Sequence, residues 1–208
     1  MSYSTHFWNA IAGRYARSPV AKEDIYQLKL AETRRHLRPD MRVLEFGCGT
    51  GSTALVHAPH VHHYTAIDVS RSMLKIAKGK LADTNIENLE FQQSAIEEWT
   101  APSESYDLIL GLSILHLLND PDAAIEKAYR MLKPGGLLVT STVCIGGKMP
   151  VMRIFLKIGH CLGLLPKLVF FERSDLEKRI NQVGFKTEFV LKEAENTDSH
   201  FLISAKTA

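Results

Sequence analysis

The sequence predicts an α/β protein built on a mostly parallel sheet with helices on both faces. Three observations carry that prediction. Strand-like apolar runs alternate with helix-like segments over most of the chain, the signature of successive βαβ units. The first run enters a loop, Val43-Leu44-Glu45-Phe46-Gly47-Cys48-Gly49-Thr50-Gly51, with single residues between its glycines. The second run, Tyr64-Thr65-Ala66-Ile67-Asp68, ends in an acid seventeen residues after the last glycine.

Two helices are expected before the first strand, at about 5–17 and 20–37, separated by Ser18-Pro19. Phe7, Ile11, Ala12 and Tyr15 recur at helical spacing and form one apolar face. Strands are expected at 42–46, 62–68, 88–93, 106–111 and 136–143. Ser70 is placed to cap a helix running from Arg71 to about Ala82. Asp120-Pro121 puts an N-cap acceptor before a proline at the first helical position, and Lys133-Pro134-Gly135-Gly136 ends that helix. A further helix begins near Ser174. Phe185 to Lys192 and His200 to Ala205 read as two more strands, joined by the polar turn Glu195-Asn196-Thr197-Asp198.

A glycine loop after a strand lets backbone approach a ligand where a Cβ would collide. An acid closing the next strand is placed to hold a ribose diol. Together they point to a nucleoside-containing cofactor. The dinucleotide pattern G-x-G-x-x-G is not met, because Ser52 stands where its third glycine belongs. No Gly-Lys-Ser/Thr follows, so there is no P-loop. Glu45, two residues before the first glycine, suits a ligand carrying an ammonium group better than one carrying pyrophosphate. The alternative is a strand-turn-helix joint whose glycines serve packing alone.

From here the chain resembles the class I methyltransferases that use S-adenosylmethionine (SAM), in their small-molecule branch. The resemblance covers roughly residues 40 to 145. It rests on the glycine loop, on Asp68-Val69-Ser70-Arg71-Ser72-Met73-Leu74, on Tyr106-Asp107-Leu108-Ile109 with Ser113-Ile114-Leu115-His116, and on Met131-Leu132-Lys133-Pro134-Gly135-Gly136-Leu137-Leu138. It implies a Rossmann-like, mostly parallel seven-stranded sheet with an antiparallel C-terminal hairpin. It also implies SAM as cofactor and S-adenosylhomocysteine (SAH) as product. The cofactor residues it marks are Glu45 toward the amino end, Gly47, Cys48 and Gly49 under the methionine moiety, and Asp68 with Val69 on the ribose. Met73, Ser94, Ala95 and Ile96 would surround the adenine. Ser94-Ala95 departs from the family, whose members place an acid followed by a small residue there. A serine hydroxyl still accepts a hydrogen bond, but without charge assistance.

At 208 residues the chain suits one domain over 1–208, and the apolar face of its N-terminal helices, residues 1–38, either packs on the sheet edge or, as related enzymes imply, closes as a lid with Tyr15 near the site. Residues 148–171 form an apolar insertion in which Arg153, Lys157 and His160 share one helical face. It reads as a cover for an apolar substrate pocket, with Met152 and Phe155 toward the acceptor. The alternatives are transient membrane-surface contact through 151–171, a dimer contact, or core packing. A small lipophilic acceptor follows, of quinone-like, lipid or polyketide type.

Displacement at a sulfonium methyl releases a neutral thioether, so no catalytic triad is required. A base is needed only if the acceptor must lose a proton. His116, just past the fourth strand, is the base candidate, and its alternative is local packing within Leu-His-Leu-Leu. Residues 111–114 are Gly-Leu-Ser-Ile, unlike the Asn/Asp-Pro-Pro-Tyr of amino-group DNA methyltransferases, which disfavours a nucleic-acid substrate. A net charge of +2 neither requires nor excludes nucleic acid, and no dense Lys/Arg run forms a phosphate-tracking stripe. His57, His60, His62 and His63 match no zinc spacing and read as a solvated strand entrance, with no metal expected. The N-terminus lacks a secretory pattern and the three cysteines show no C-x-x-C pair, so a reduced, cytoplasmic protein is expected. Rival readings are a nicotinamide-binding oxidoreductase and a catalytically silent SAM-binding regulator.

Overall fold

The computed structural model describes residues 3–20, 22–144, 168–191 and 198–207. Two helices, α1 (Tyr3–Arg17) and α2 (Glu23–Arg35), precede the first strand. The second starts three residues later than expected because Lys22 takes a positive φ of 56°, which fixes its N-terminus. Strand β1 (Arg42–Phe46), helix α3 (Ser52–His57), β2 (His63–Asp68) and α4 (Arg71–Ala82) form the first βαβα run. Then come β3 (Leu89–Gln93), β4 (Tyr106–Leu112), α5 (Pro121–Met131), β5 (Leu132–Val143), α6 (Arg173–Gln182), β6 (Phe185–Leu191) and β7 (Ser199–Lys206).

The seven strands form one sheet in the order β3-β2-β1-β4-β5-β7-β6. Strands β1 to β5 pair in parallel, while β7 runs antiparallel to both β5 and β6. The C-terminal pair is therefore antiparallel as the resemblance implied, with β7 inserted between β5 and β6. Strand order reverses between β1 and β4, the switch point where open α/β sheets bind ligands at their carboxyl ends.

Strand alternation splits the core in two. Leu44, Phe46, Ile109 and Leu138 face α5 and α6, meeting Ile125, Ala128, Leu176 and Ile180. Val43, Leu108, Leu110 and Val139 face α3 and α4, meeting Ala54, Leu74 and Ala77. Both faces are covered, which is why these strands read as continuous apolar runs.

Two cap expectations hold in detail. Ser70 Oγ accepts from Met73 N–H at 3.1 Å, and Asp120 Oδ1 accepts from Ala123 N–H at 2.9 Å. Other expectations need correction. Strand β5 begins at Leu132, not 136, because Leu132 is fully buried and already pairs with Tyr106. Pairing resumes at Leu108 and Leu137, so Lys133 to Gly136 loop out of the ladder, with Lys133 Nζ 2.7 Å from Asp107 Oδ1. His57 does not line a solvated strand entrance. It is buried at the end of α3, and neither ring nitrogen has a hydrogen-bond partner among the described residues.

Of the 148–171 insertion, residues 148–167 lie outside the described residues, and Met152 and Phe155 with them. Its last residue, Phe171, is buried in the α5–α6 core beneath the Arg179 guanidinium. The chain therefore returns to core packing by the end of that segment.

Candidate functional site

Strand β1 ends in the glycine loop, where Gly47, Gly49 and Gly51 all have positive φ, at 69°, 55° and 74°. Their surroundings differ. A Cβ on Gly47 would lie 2.6 Å from Ile114 Cγ1, and one on Gly51 would lie 2.6 Å from Phe91 Cζ. A Cβ on Gly49 would meet nothing within 4 Å. Two glycines thus serve close packing, as the purely structural alternative required. The middle one faces open space, as a ligand-binding loop requires.

That space is a cavity of about 770 Å³ at the carboxyl ends of β1, β2 and β4. Its polar end is walled by Gly47, Gly49, Asp68, Val69 and Ser94. Met73, Ala95 and Ile96 line the adjoining wall. Phe46, Leu112, Ile114, Leu117 and Leu118 supply an apolar part of the wall, and Glu97, Glu98, Asn119 and Asp120 line the same cavity. Thr5, Trp8 and Tyr15 of α1 close one side, with the Trp8 and Tyr15 rings edge to face at 6.3 Å. The structure therefore brings together eight of the ten cofactor residues read from sequence, and Tyr15 besides.

Asp68 organises the polar end. Its Oδ2 accepts from Gly49 N–H at 2.9 Å and its Oδ1 from Ser70 N–H at 2.8 Å. Burial raises its carboxyl pKa, and those backbone donors work against the rise. Ser94 N–H donates to the Asp68 carbonyl at 3.1 Å, holding the end of β3 against β2. The Ser94 hydroxyl donates to Ala95 O at 2.9 Å, which leaves its oxygen able to accept from a ligand.

Glu45 and Cys48 lie beneath the loop rather than on the wall. Glu45 is 3% exposed and accepts from Tyr64 Oη at 2.8 Å. Burial pushes its carboxyl up to about 8, against that hydrogen bond and with Asp68 adding to the rise. Cys48 is buried and its thiol pushed well above the ordinary range, so it is an inert small hydrophobe.

His116 also stands apart from the wall. It belongs to a 3₁₀ turn, Leu115–Leu117, and burial lowers its pKa to about 4. Its Nδ1 is buried without a hydrogen-bond partner among the described residues, and its carbonyl accepts from Val169 N–H at 2.8 Å. The buried Nδ1 and the backbone contact to Val169 agree with the local packing alternative.

Several residues escaped the sequence reading. Lys80 Nζ donates to Thr50 O, Thr50 Oγ1 and Ser52 Oγ at 3.0–3.1 Å, clamping the far side of the glycine loop. Ser113 lines the cavity at a positive φ of 56°, its N–H donating to Ser141 O at 2.6 Å. A non-glycine residue held there is a mark of functional sites. Asn9 Oδ1 ties α1 to the start of α4. Lys80 and Asn9 belong to no motif, and Ser113 opens the block Ser113-Ile114-Leu115-His116 without a role read for it. Only the positions of Lys80 on the glycine-loop side of α4 and of Ser113 just past β4 hinted at a role.

The donor set fits SAM: an open glycine face, a ribose-side carboxylate and a buried acid below the methionine end. A protein-family model described as a methyltransferase domain matches residues 20–188. The chain belongs to the class I SAM-dependent methyltransferases. It is 30% identical over 178 residues to a malonyl-[acyl-carrier protein] O-methyltransferase of Paenibacillus sp., covering 80% of this chain and 64% of that protein. It is 31% identical over 146 residues to the ubiquinone/menaquinone biosynthesis C-methyltransferase of Vibrio parahaemolyticus, covering 67% and 55%. The chain thus spans under two thirds of the length of these curated relatives. Among solved structures, the [4+2]-cyclase SpnF superposes with a TM-score of 0.74 at 19% identity over 99% of this chain and 93% of that one. That likeness concerns the fold alone, and one fold hosts many reactions. No helix among the described residues is long and apolar enough to cross a membrane.

Proposed function

We propose that the protein transfers the methyl group of SAM to a small, lipophilic acceptor, giving SAH. One observation carries this reading: a single cavity is lined both by the glycine loop and Asp68 and by the apolar side chains of Leu112, Ile114, Leu117 and Leu118. When bound, SAM supplies a methyl carbon that an acceptor attacks in line as the carbon–sulfur bond breaks.

The chain's contribution is position and dryness. Asp68, held by Gly49 and Ser70, takes the ribose hydroxyls, and Met73 and Ile96 pack on the adenine. Ser94 accepts from its amino group, while Glu45, ionised against the methionine ammonium of the bound ligand, supplies negative charge below it. Trp8 and Tyr15 exclude water from the junction of the two ends. Holding reactants in line this way supplies up to about 7–11 kcal/mol of rate enhancement. Of the relatives, the one named for ubiquinone/menaquinone biosynthesis supports an apolar acceptor, whereas the one named for malonyl-[acyl-carrier protein] is named for a charged acceptor. No nucleic acid is required. The helices before β1 act as the lid of one methyltransferase domain.

Calorimetry with SAM, SAH and NADH tests the reading. Micromolar binding of the first two without the third is expected. Binding of NADH alone overturns it. Turnover is then tested with quinol and carboxylic-acid acceptors, and failure of every apolar probe alongside turnover of a polar amine overturns the acceptor class.

A further inference from the structure

Helix α1 and the Asp68 carboxylate belong to one chain of hydrogen bonds. Asn9 Oδ1 accepts from the Ser70 hydroxyl at 2.8 Å and from Ser72 N–H at 3.0 Å. Ser70 is fully buried, and its Oγ accepts in turn from Met73 N–H at 3.1 Å. Its own N–H donates to Asp68 Oδ1 at 2.8 Å, and Asp68 Oδ2 takes Gly49 N–H at 2.9 Å. Lid, helix cap, carboxylate and glycine loop are linked without a gap.

The physical logic lies in the first turn of α4. A helix N-terminus leaves backbone N–H groups without intrahelical partners. Ser70 satisfies the one at Met73. Asn9 satisfies the one at Ser72 from a different helix, and its acceptor also fixes the Ser70 hydroxyl. If α1 lifts, Ser70 Oγ and Ser72 N–H both lose that acceptor, and the turn that holds Asp68 loosens. The same helix carries Thr5, Trp8 and Tyr15 to the cavity wall, so its seating and the cavity's completion coincide. The Asn9 amide nitrogen makes no hydrogen bond among the described residues, so the role falls on Oδ1 alone.

We infer that Asn9 is a positioning residue that makes closure of α1 and seating of the nucleoside on Asp68 one cooperative event. The inference rests on the assignment of this cavity to SAM. Coupling of this kind is reciprocal: an occupied site must order α1 as much as an ordered α1 holds the ligand.

The test is SAH dissociation, followed by Trp8 fluorescence in a Trp99→Phe background, together with amide hydrogen exchange across residues 3–17. In the wild-type chain SAH should slow exchange throughout α1. Asn9→Ala should release SAH about tenfold faster, from the loss of two hydrogen bonds, and α1 exchange should become insensitive to SAH. Asn9→Asp keeps both acceptor positions and should recover most of the wild-type rate. A merely structural role would lower the melting temperature of Asn9→Ala yet leave ligand protection of α1 intact, and that result overturns the inference. So does Asn9→Asp releasing SAH as fast as Asn9→Ala. Should Asn9→Ala fail to fold, wild-type α1 exchange unaffected by SAH still overturns it. A wild-type chain that binds neither SAM nor SAH overturns the cofactor assignment, and the latch with it.

Discussion

Replacing Glu45 with Gln should change how stability depends on pH, and the structure sets the size of the change. Glu45 is buried on β1 between Ala66 of β2 and Leu110 of β4, with Tyr64 Oη its hydrogen-bond donor at 2.8 Å. Burial moves its carboxyl from an ordinary 4.5 to about 8. Each tenfold change in protonation is worth ~1.4 kcal/mol, so the ionised carboxylate opposes folding by at most about 4–5 kcal/mol. Relaxation and water penetration reduce such penalties, which leaves about 2–4 kcal/mol. The sign follows from proton binding. Between pH 4.5 and about 8 the folded chain keeps a proton that the unfolded chain has lost, so wild-type stability falls as pH rises through that window. Glu45→Gln cannot ionise and still accepts from Tyr64. His57 and His116, both lowered to about 4 by burial, act in the opposite direction, but equally in both proteins. Urea denaturation at intervals from pH 5 to 9 measures the difference. Near pH 5 the two proteins should agree within about 1 kcal/mol, and by pH 8 the Gln variant should be the more stable by about 2–4 kcal/mol. Parallel stability curves for the two would refute the reasoning.

Four further outcomes follow from the same site. SAM affinity should rise with pH up to about 8 in the wild-type chain, because the ligand's cationic end favours ionised Glu45, and should be flat in Glu45→Gln by calorimetry. Gly51→Ala should destabilise by about 2–4 kcal/mol, from a Cβ driven into Phe91 and a left-handed backbone. Gly49→Ala meets no atom and should cost only about 1–2 kcal/mol of stability, yet weaken SAM at least about tenfold; thermal melts and calorimetry separate the two. His116→Ala should lower the melting temperature while leaving the pH profile of methyl transfer unchanged, and a lost alkaline or acid limb would restore the base assignment.

The parts of the fold legible in sequence are those fixed by local chemistry. Strands β1, β2 and β4 announce themselves because sheet residues covered on both faces are mostly apolar. Ser70 and Asp120 mark helix starts because a short side-chain acceptor before a helix has one favourable use. Asp68 was legible for the same reason, as an acid ending a strand beside a glycine loop. What escaped the sequence is set by tertiary approach. Leu132 joins β5 early because its burial outweighs the Lys-Pro-Gly-Gly turn that follows it. His57 looked solvated within a histidine-rich stretch, but the last turn of α3 carries it inward. Lys80 and Asn9 act across thirty or more residues of chain, and no spacing rule reaches that far.

Gly47 shows why the cofactor was readable and the acceptor was not. Its position in the loop motif suggests that it exists for the cofactor, yet the atoms that forbid a side chain there belong to Ile114. Ile114 lines the apolar end and follows Ser113, whose left-handed backbone turns the chain past the end of β4. Under the proposed function, the cofactor loop therefore meets the acceptor wall where Ile114 crowds Gly47. Enlarging the acceptor end by trimming Ile114 would remove the atoms that now pack on Gly47, and would loosen the cofactor loop with it. Acceptor choice in this chain is then not freely adjustable at Ile114, whereas Leu117 and Leu118 line the same end without touching a loop glycine among the close contacts seen here. Specificity should change most readily at those two leucines.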